Sequence, residues 1–338
     1  MNSLKYILFL LMTSCTVISS TPYSGPKSDH FNGKTFENYL KDPGKKSFWR
    51  FVKMKYFDDP WPKWPTEFDK VKPVAPDKTH QAKVTFINHA TLLIQLDHQN
   101  ILTDPIWSNR ASPFSFAGPA RVTEPGVKKE DLPKIDVILI SHNHYDHLDL
   151  ESLKYLSKRD RPLILIGLGN DVLLKENGIE NVKTLDWWES IEIEEIKYSF
   201  TPSQHWSARG LRDRNQTLWG SFWIEGSKKI YFAGDTGFGP HFHMIKSRLG
   251  SPDLALLPIG AYEPRWFMRY AHMNPKEALD THHLLDAKTS IGIHFGTFRL
   301  TKEPYDAPKK DLLEAIKNDP LKDDSKFYVP YNGEQFLF

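Results

Sequence analysis

Asp136-Val137-Ile138-Leu139-Ile140-Ser141-His142-Asn143-His144-Tyr145-Asp146-His147 is the stretch whose reading decides the fold. Its first half is an unbroken aliphatic run between two polar residues. Such a run reads as a strand buried on both faces, inside a sheet covered by helices. Its second half places three imidazoles and a carboxylate within six residues directly after that strand. A sharp loop there aims His142 and His144 at one point, and Asp146 and His147 at a neighbouring point. Two divalent cations side by side need a ligand set divided in this way. A polar loop of solvated histidines is the bland alternative, and four ligand-type residues at this spacing weigh against it.

Working outward, three more ligand-type residues stand just after apolar strands. His205 follows Phe200-Thr201-Pro202-Ser203-Gln204, Asp235 follows Ile230-Tyr231-Phe232-Ala233-Gly234, and His294 follows Ser290-Ile291-Gly292-Ile293. Each alone reads as a cap or a satisfied hydrogen-bonder; together with the first four they make a set of seven. Alternation of apolar and polar residues predicts strands over 84–86, 92–96 and 101–103. Further strands are expected at 163–166, 191–193, 198–201, 218–224, 230–233, 254–258 and 290–293. Helices are expected at 150–158, 171–176, 241–248, 275–285 and 309–317, with Pro275 at a first turn behind the cap Asn274. Between Ile106 and Lys134 runs a long loop rich in Ser, Pro and Gly, a length that usually carries function. Many strands with interspersed helices, grouped in two halves, predict two sheets with helices on their outer faces, an α/β sandwich.

Longer motifs carry a resemblance. His-x-His-x-Asp-His with a later His, Asp and His is similar to the metallo-β-lactamase superfamily pattern. Several stretches resemble one branch of it, the N-acylphosphatidylethanolamine-hydrolysing phospholipase D family. They are Asn88-His89-Ala90-Thr91, Leu102-Thr103-Asp104-Pro105, Ser108-Asn109-Arg110-Ala111-Ser112-Pro113 and Gly118-Pro119. Leu185-Asp186-Trp187-Trp188-Glu189, Thr201-Pro202-Ser203-Gln204-His205-Trp206, Ala233-Gly234-Asp235-Thr236-Gly237 and Gly260-Ala261-Tyr262-Glu263-Pro264-Arg265-Trp266-Phe267-Met268 do the same. The resemblance runs from about Pro60 to the C-terminus. It implies a four-layer αββα sandwich over residues 82–338 and two Zn2+ per chain, other divalent ions being alternatives. By motif, His142, His144 and His205 hold one ion, Asp146, His147 and His294 the other, and Asp235 bridges. The activity implied is cleavage of a phospholipid by water activated between the metals, giving N-acylethanolamine and phosphatidate, in a chain that forms a homodimer. His272 matches a family histidine, expected to bind phosphate or to protonate the leaving alkoxide; the other reading is a structural residue ahead of a helix. Asp146 and His272 are thus the expected catalytic residues.

Asp104 and His89 stand at the same rim and are read as holding ligands in place, with a turn role as the equal alternative. His241 and His243 are read as surface residues at a helix start, and His282 and His283 as structural. Arg265 to Arg269, Trp206, Phe114 and Phe116 either line an acyl-chain entry or pack beneath the site.

The N-terminus reads as an address. One lysine, the apolar run Ile7 to Met12 and then Thr13-Ser14-Cys15 give a signal over residues 1–14, too short for a membrane span of about 20 apolar residues. The cysteine is the only one in 338 residues. Leu11-Met12-Thr13-Ser14-Cys15 is similar to a lipobox, so Cys15 is expected to be lipidated and to anchor the chain in a bacterial envelope, facing the periplasm. A plain secretory signal, giving a periplasmic or secreted protein, is the alternative. Residues 15–81, rich in Pro, Lys and Gly, read as a tether and an extension that packs on the body; Trp61 and Trp64 in its proline-fixed part are expected to dock. One cysteine rules out an internal disulfide and leaves His, Asp and Glu as metal ligands. Charges of 44 against 42 argue against a nucleic-acid partner. The mean hydropathy of −0.49 excludes a multi-span membrane protein. Two competing functions stand beside the lipase: a lactonase or soluble phosphodiester hydrolase of the same fold, and a non-catalytic envelope lipoprotein.

Overall fold

The computed structural model describes residues 22–41, 48–58, 60–66, 74, 82–321 and 326–338. Cys15 and the expected signal lie outside them. A short helix α1 (Phe48–Val52) precedes the body. The first sheet is built from β1 (Lys83–Asn88), β2 (Thr91–Leu96), β3 (Gln99–Thr103) and β4 (Val137–Ile140), then, after α2 (Leu150–Asp160), β5 (Leu163–Gly167), and after α3 (Asp171–Glu176), β6 (Val182–Leu185). The second contains β7 (Ser190–Ile193), β8 (Ile196–Thr201), β9 (Ser221–Glu225) and β10 (Lys229–Phe232). It continues through α4 (His241–Leu249), β11 (Leu254–Pro258), α5 (Arg265–Met268), α6 (Pro275–Leu285), β12 (Thr289–Ile293), α7 (Ala307–Lys317) and β13 (Phe327–Tyr328). The last strand, β14 (Gln335–Leu337), returns to the first sheet.

The strand orders are β14-β1-β2-β3-β4-β5-β6 and β13-β12-β11-β10-β9-β8-β7. In each sheet an antiparallel meander of three or four strands leads into parallel strands; helical crossovers link these, except that the long loop after Thr103 joins β3 to β4. Side-chain alternation then fixes the layers. Val137 and Leu139 of β4 point between the sheets, where they join Phe86, Leu165, Phe200, Phe222, Phe232, Leu256 and Ile293. Ile138 and Ile140 of the same strand point outward and pack with Leu153 and Leu156 of α2. Tyr231, Ala255 and Leu257 do the same on the other side, under Phe242, Ile245, Leu279 and Leu312. These are the four layers, and the unbroken aliphatic run of β4 is needed because both its faces are covered.

Some element limits differ from expectation. The strand foreseen at 218–224 starts only at Ser221, because Leu218 N and Gly220 N donate instead to Leu168 O and Ser141 O, past strand ends of the first sheet. β6, β13 and β14 were not foreseen. They are short edge or near-edge strands that alternate weakly. The expected helix cap is present: Asn274 accepts from Glu277 N at 2.8 Å, and Glu277 Oε2 accepts from Asn274 N at 3.0 Å. Ahead of the body, Phe31 and Phe36 of the segment 22–41 are buried in the central cluster. Trp64 docks as expected, its indole N–H donating to Glu303 O at 3.0 Å and its ring edge-on to Tyr305.

Candidate metal centre

The strands of both sheets end at one rim, and every foreseen ligand sits just past a strand end. His142, His144, Asp146 and His147 follow β4, His205 follows β8, Asp235 follows β10 and His294 follows β12. The turns that expose them use left-handed backbone: Asp104 has φ 33°, Gly234 φ 57° and His294 φ 61°. At Gly234 the need for glycine is direct, since a Cβ there would lie 2.5 Å from Ser141 Cβ. Here the loops after β4 and β10 pass each other.

Seven side chains meet in this space. His142 Nε2 lies 2.7 Å from His144 Nδ1, which is 3.3 Å from His205 Nε2. Asp146 Oδ2 lies 3.3 Å from both His147 Nε2 and His294 Nε2. Asp235 Oδ2 sits between the two groups, 3.1 Å from His294 Nε2, 3.3 Å from His147 Nε2, 3.7 Å from His205 Nε2 and 4.0 Å from His142 Nε2.

The far sides of the rings are already committed. Ser141 Oγ donates to Asp104 Oδ2 at 2.6 Å, so it accepts from His142 Nδ1 at 2.9 Å. His205 Nδ1 donates to the Ala271 carbonyl at 2.9 Å. His147 Nδ1 donates to Asp104 Oδ2 at 2.6 Å. These bonds fix the tautomers and leave Nε2 lone pairs of His142 and His205 facing each other across His144 Nδ1. Buried Asp235 Oδ1 has no hydrogen-bond partner within the protein. Converging lone pairs and two buried carboxylates set among imidazoles fit divalent cations, and the all-N/O donor set suits them.

The electrostatics agree. Burial pushes the Asp235 carboxyl up, but His147 and His294 outweigh it and hold it well below the usual range. Asp146 behaves likewise through His147. Burial, then neighbouring imidazoles, keep His142 and His144 well below the usual histidine range, so both are neutral donors. Burial also acts against charge on His294, yet Asp235 and Asp146 lift it to about 9.

Asp104 orients His147, and its Oδ1 also accepts from Ser141 N at 2.8 Å. His89 Nε2 is 3.0 Å from Asp146 Oδ2. Burial lowers its imidazole to about 3, so it is a neutral donor to that carboxylate. His272 is buried with Nδ1 3.9 Å from Asp235 Oδ2 and its ring edge-on to His205. It lies between α5 and α6, where Arg265 donates to its carbonyl at 2.9 Å and pairs with Glu277 at 2.7 Å. A cleft of about 340 Å³ opens over the cluster, walled by His144, Asp146, Asp235, His272, Tyr145, Trp206 and Arg209. Arg209 is buried against the Tyr145 ring and donates to the Asn143 and Leu148 carbonyls, which ties down the ligand loop.

His241 corrects its surface reading. It is buried, with Nε2 3.0 Å from Thr236 Oγ1, while His243 is exposed. Helical periodicity alone could not distinguish the inward from the outward histidine at a helix start. His282 contacts Ser290 Oγ and His283 pairs with Asp319, away from the cluster. Trp266 turns to α1's neighbourhood, donating to Asp58 at 3.0 Å. Phe116 is exposed, and Phe114 packs on it. The sequence reading missed Ser141, Arg209 and the Ala271 carbonyl. Ser141 stood inside the decisive motif and was the one that could have been found.

A family model described as a β-lactamase superfamily domain matches residues 99–295. The N-acyl-phosphatidylethanolamine-hydrolyzing phospholipase D 1 of Caenorhabditis elegans is 39% identical over 314 residues, 87% of this chain and 88% of that relative. The chain belongs to this phospholipase D family of the metallo-β-lactamase superfamily. It is therefore a metal-dependent hydrolase. The mitochondrial family member of Saccharomyces cerevisiae is 41% identical over 246 residues, covering 70% of this chain and about half, 52%, of its own length. In fold, a metallo hydrolase from the archaeon Ignicoccus hospitalis superposes with a TM-score of 0.57 at 22% identity, over 76% of this chain and 98% of its own.

Proposed function

We propose that this family member is a zinc-dependent phosphodiesterase that hydrolyses N-acylphosphatidylethanolamine to N-acylethanolamine and phosphatidate. The observation that carries the proposal is the position of Asp235 Oδ2, within 4.0 Å of four imidazole nitrogens drawn from both halves of the sandwich. His142, His144 and His205 would hold one ion, Asp146, His147 and His294 the second, and Asp235 would bridge. When bound, the pair supplies Lewis acidity and a water of lowered pKa for in-line attack on phosphorus.

The chain's own groups do the rest. Asp104 and Ser141 keep the His147 and His142 rings turned to the centre. His89 holds Asp146 by a neutral hydrogen bond. The burial of the ligands keeps competing bulk water out and strengthens every charge interaction inside. His272, on the cleft wall beside Asp235, binds the phosphate or delivers a proton to the departing N-acylethanolamine oxygen. The substrate class rests on the family: the nematode and yeast relatives are described as hydrolysing N-acylphosphatidylethanolamine.

The test is a panel of N-acylphosphatidylethanolamine, a lactone and a soluble chromogenic phosphodiester, each with and without EDTA. Lipid turnover that EDTA abolishes supports the proposal. Turnover of the lactone or the soluble diester alone transfers the chain to another reaction of the same fold.

We also propose that Cys15 is lipidated and holds the enzyme at the membrane of the bacterial envelope, next to its substrate. Support comes from the leader sequence, in which Leu11-Met12-Thr13-Ser14-Cys15 follows a short apolar run. Cys15→Ser should move the protein from the membrane to the soluble fraction; a variant that stays with the membrane contradicts lipidation.

A further inference from the structure

We propose that Asn38, in the N-terminal segment ahead of the sandwich, is a positioning residue for His205, and that the segment works as a strap that completes the metal centre. The inference rests on the metal centre proposed above.

His205 stands in an irregular stretch after β8, outside the strand itself. Asn38 supplies what the sheet does not. Its Nδ2 donates to His205 O at 2.7 Å, and its Oδ1 accepts from His205 N at 3.2 Å. A primary amide is a peptide group in miniature, with one donor edge and one acceptor. Paired to both polar atoms of one residue, it fixes that residue in position and rotation as a neighbouring strand would. Oδ1 also accepts from Trp219 Nε1 at 3.1 Å, which anchors the amide to a fully buried indole.

The other end of His205 is held independently, by the Ala271 carbonyl on Nδ1. With backbone and ring both fixed, the direction of the Nε2 lone pair is set. A metal site loses affinity when a donor drifts by about 0.5 Å, so removing one of the two restraints should register at the metal.

The strap is itself well seated, which makes it able to act this way. Phe31 and Phe36 are 2% and 1% exposed in the central core. Phe36 N donates to Asn215 O at 2.8 Å, and Asn215 Nδ2 returns a bond to Phe36 O at 3.2 Å. Gln204, next to His205, donates to Leu40 O at 2.8 Å. The strap thus grips the ligand loop at two consecutive residues, 204 and 205, from a point 167 positions earlier in the chain.

The experiment is competitive titration of metal-depleted full-length protein with Zn2+ against a chromogenic chelator, with Co2+ spectra in parallel. Wild type should take up two equivalents tightly. Asn38→Ala should bind one equivalent as wild type and the other about 10- to 100-fold more weakly, with a changed Co2+ spectrum for that equivalent. Asn38→Asp, which keeps the acceptor and loses the donor, should fall between the two. Leu312→Ala, in the outer core cluster away from the strap, should lower Tm while leaving the metal titration unchanged. Wild-type titration in Asn38→Ala overturns the inference. If Asn38→Ala fails to fold, wild-type titration in Asn38→Asp overturns it. Wild-type protein that takes up no metal overturns the metal centre and this inference with it.

Discussion

Asp104 shows how much one residue at this rim carries. Fully buried, it accepts from His147 Nδ1, Ser141 N and Ser141 Oγ, and through Ser141 it also orients His142. Asp104→Ala should weaken metal binding about 10- to 100-fold, read by chelator competition; unaltered affinity would mean that the ligand rings hold their own orientation. His272→Ala should lower kcat about 10²- to 10⁴-fold with both metal equivalents retained. Loss of metal on that substitution would instead place His272, which faces His205 and Asp235, among the ligands. At this scale the sequence was most informative where a polar side chain breaks an apolar run. His294 announces itself that way, His142 and Asp235 one residue after the run ends, and His205 only through its place after a strand. The Ala271 carbonyl and Asn38 do not, because a backbone acceptor or a single Asn in a loop has no pattern to stand out from.

Among the elements, α4 carries a testable pH response. Burial alone lowers the His241 imidazole from 6.5 to about 3. Between those values the unfolded chain holds a proton that the folded chain does not. Stability therefore falls as pH drops from about 6.5 towards 3, by up to about 1.4 kcal/mol per pH unit from this group. His241→Gln should flatten that slope by up to one proton in denaturant titrations from pH 6.5 to 4; an unchanged slope would contradict the buried neutral state. β11 lies between parallel neighbours with Leu256 turned into the inter-sheet core. Leu256→Ala should cost about 2–5 kcal/mol, measured by urea unfolding, with no effect on the pH profile of activity. The central strands were legible because burial on one or both faces imposes period two or an unbroken aliphatic run. β13 and β14 were not: each has only two or three residues, and their edge positions leave Tyr328 and Leu337 exposed.

For the whole molecule, the decisive fact is that no half of the chain contains a complete site. The first sheet brings four candidate ligands on one loop, the second brings three on three loops, and the N-terminal segment grips one of those loops. The paired architecture could be read from the sequence because the ligands recur at equivalent strand ends. The strap's attachment could not, since it depends on a side chain meeting a backbone 167 residues away. The reaction proposed above is attack of water on phosphorus beside the buried His/Asp cluster, with the alcohol leaving towards His272. The most direct test is hydrolysis of a defined N-acylphosphatidylethanolamine in H2(18)O by zinc-loaded enzyme, with both products weighed by mass spectrometry. The account predicts one 18O in the phosphatidate and none in the N-acylethanolamine. Label in the N-acylethanolamine, or products that form equally well in EDTA, would contradict it.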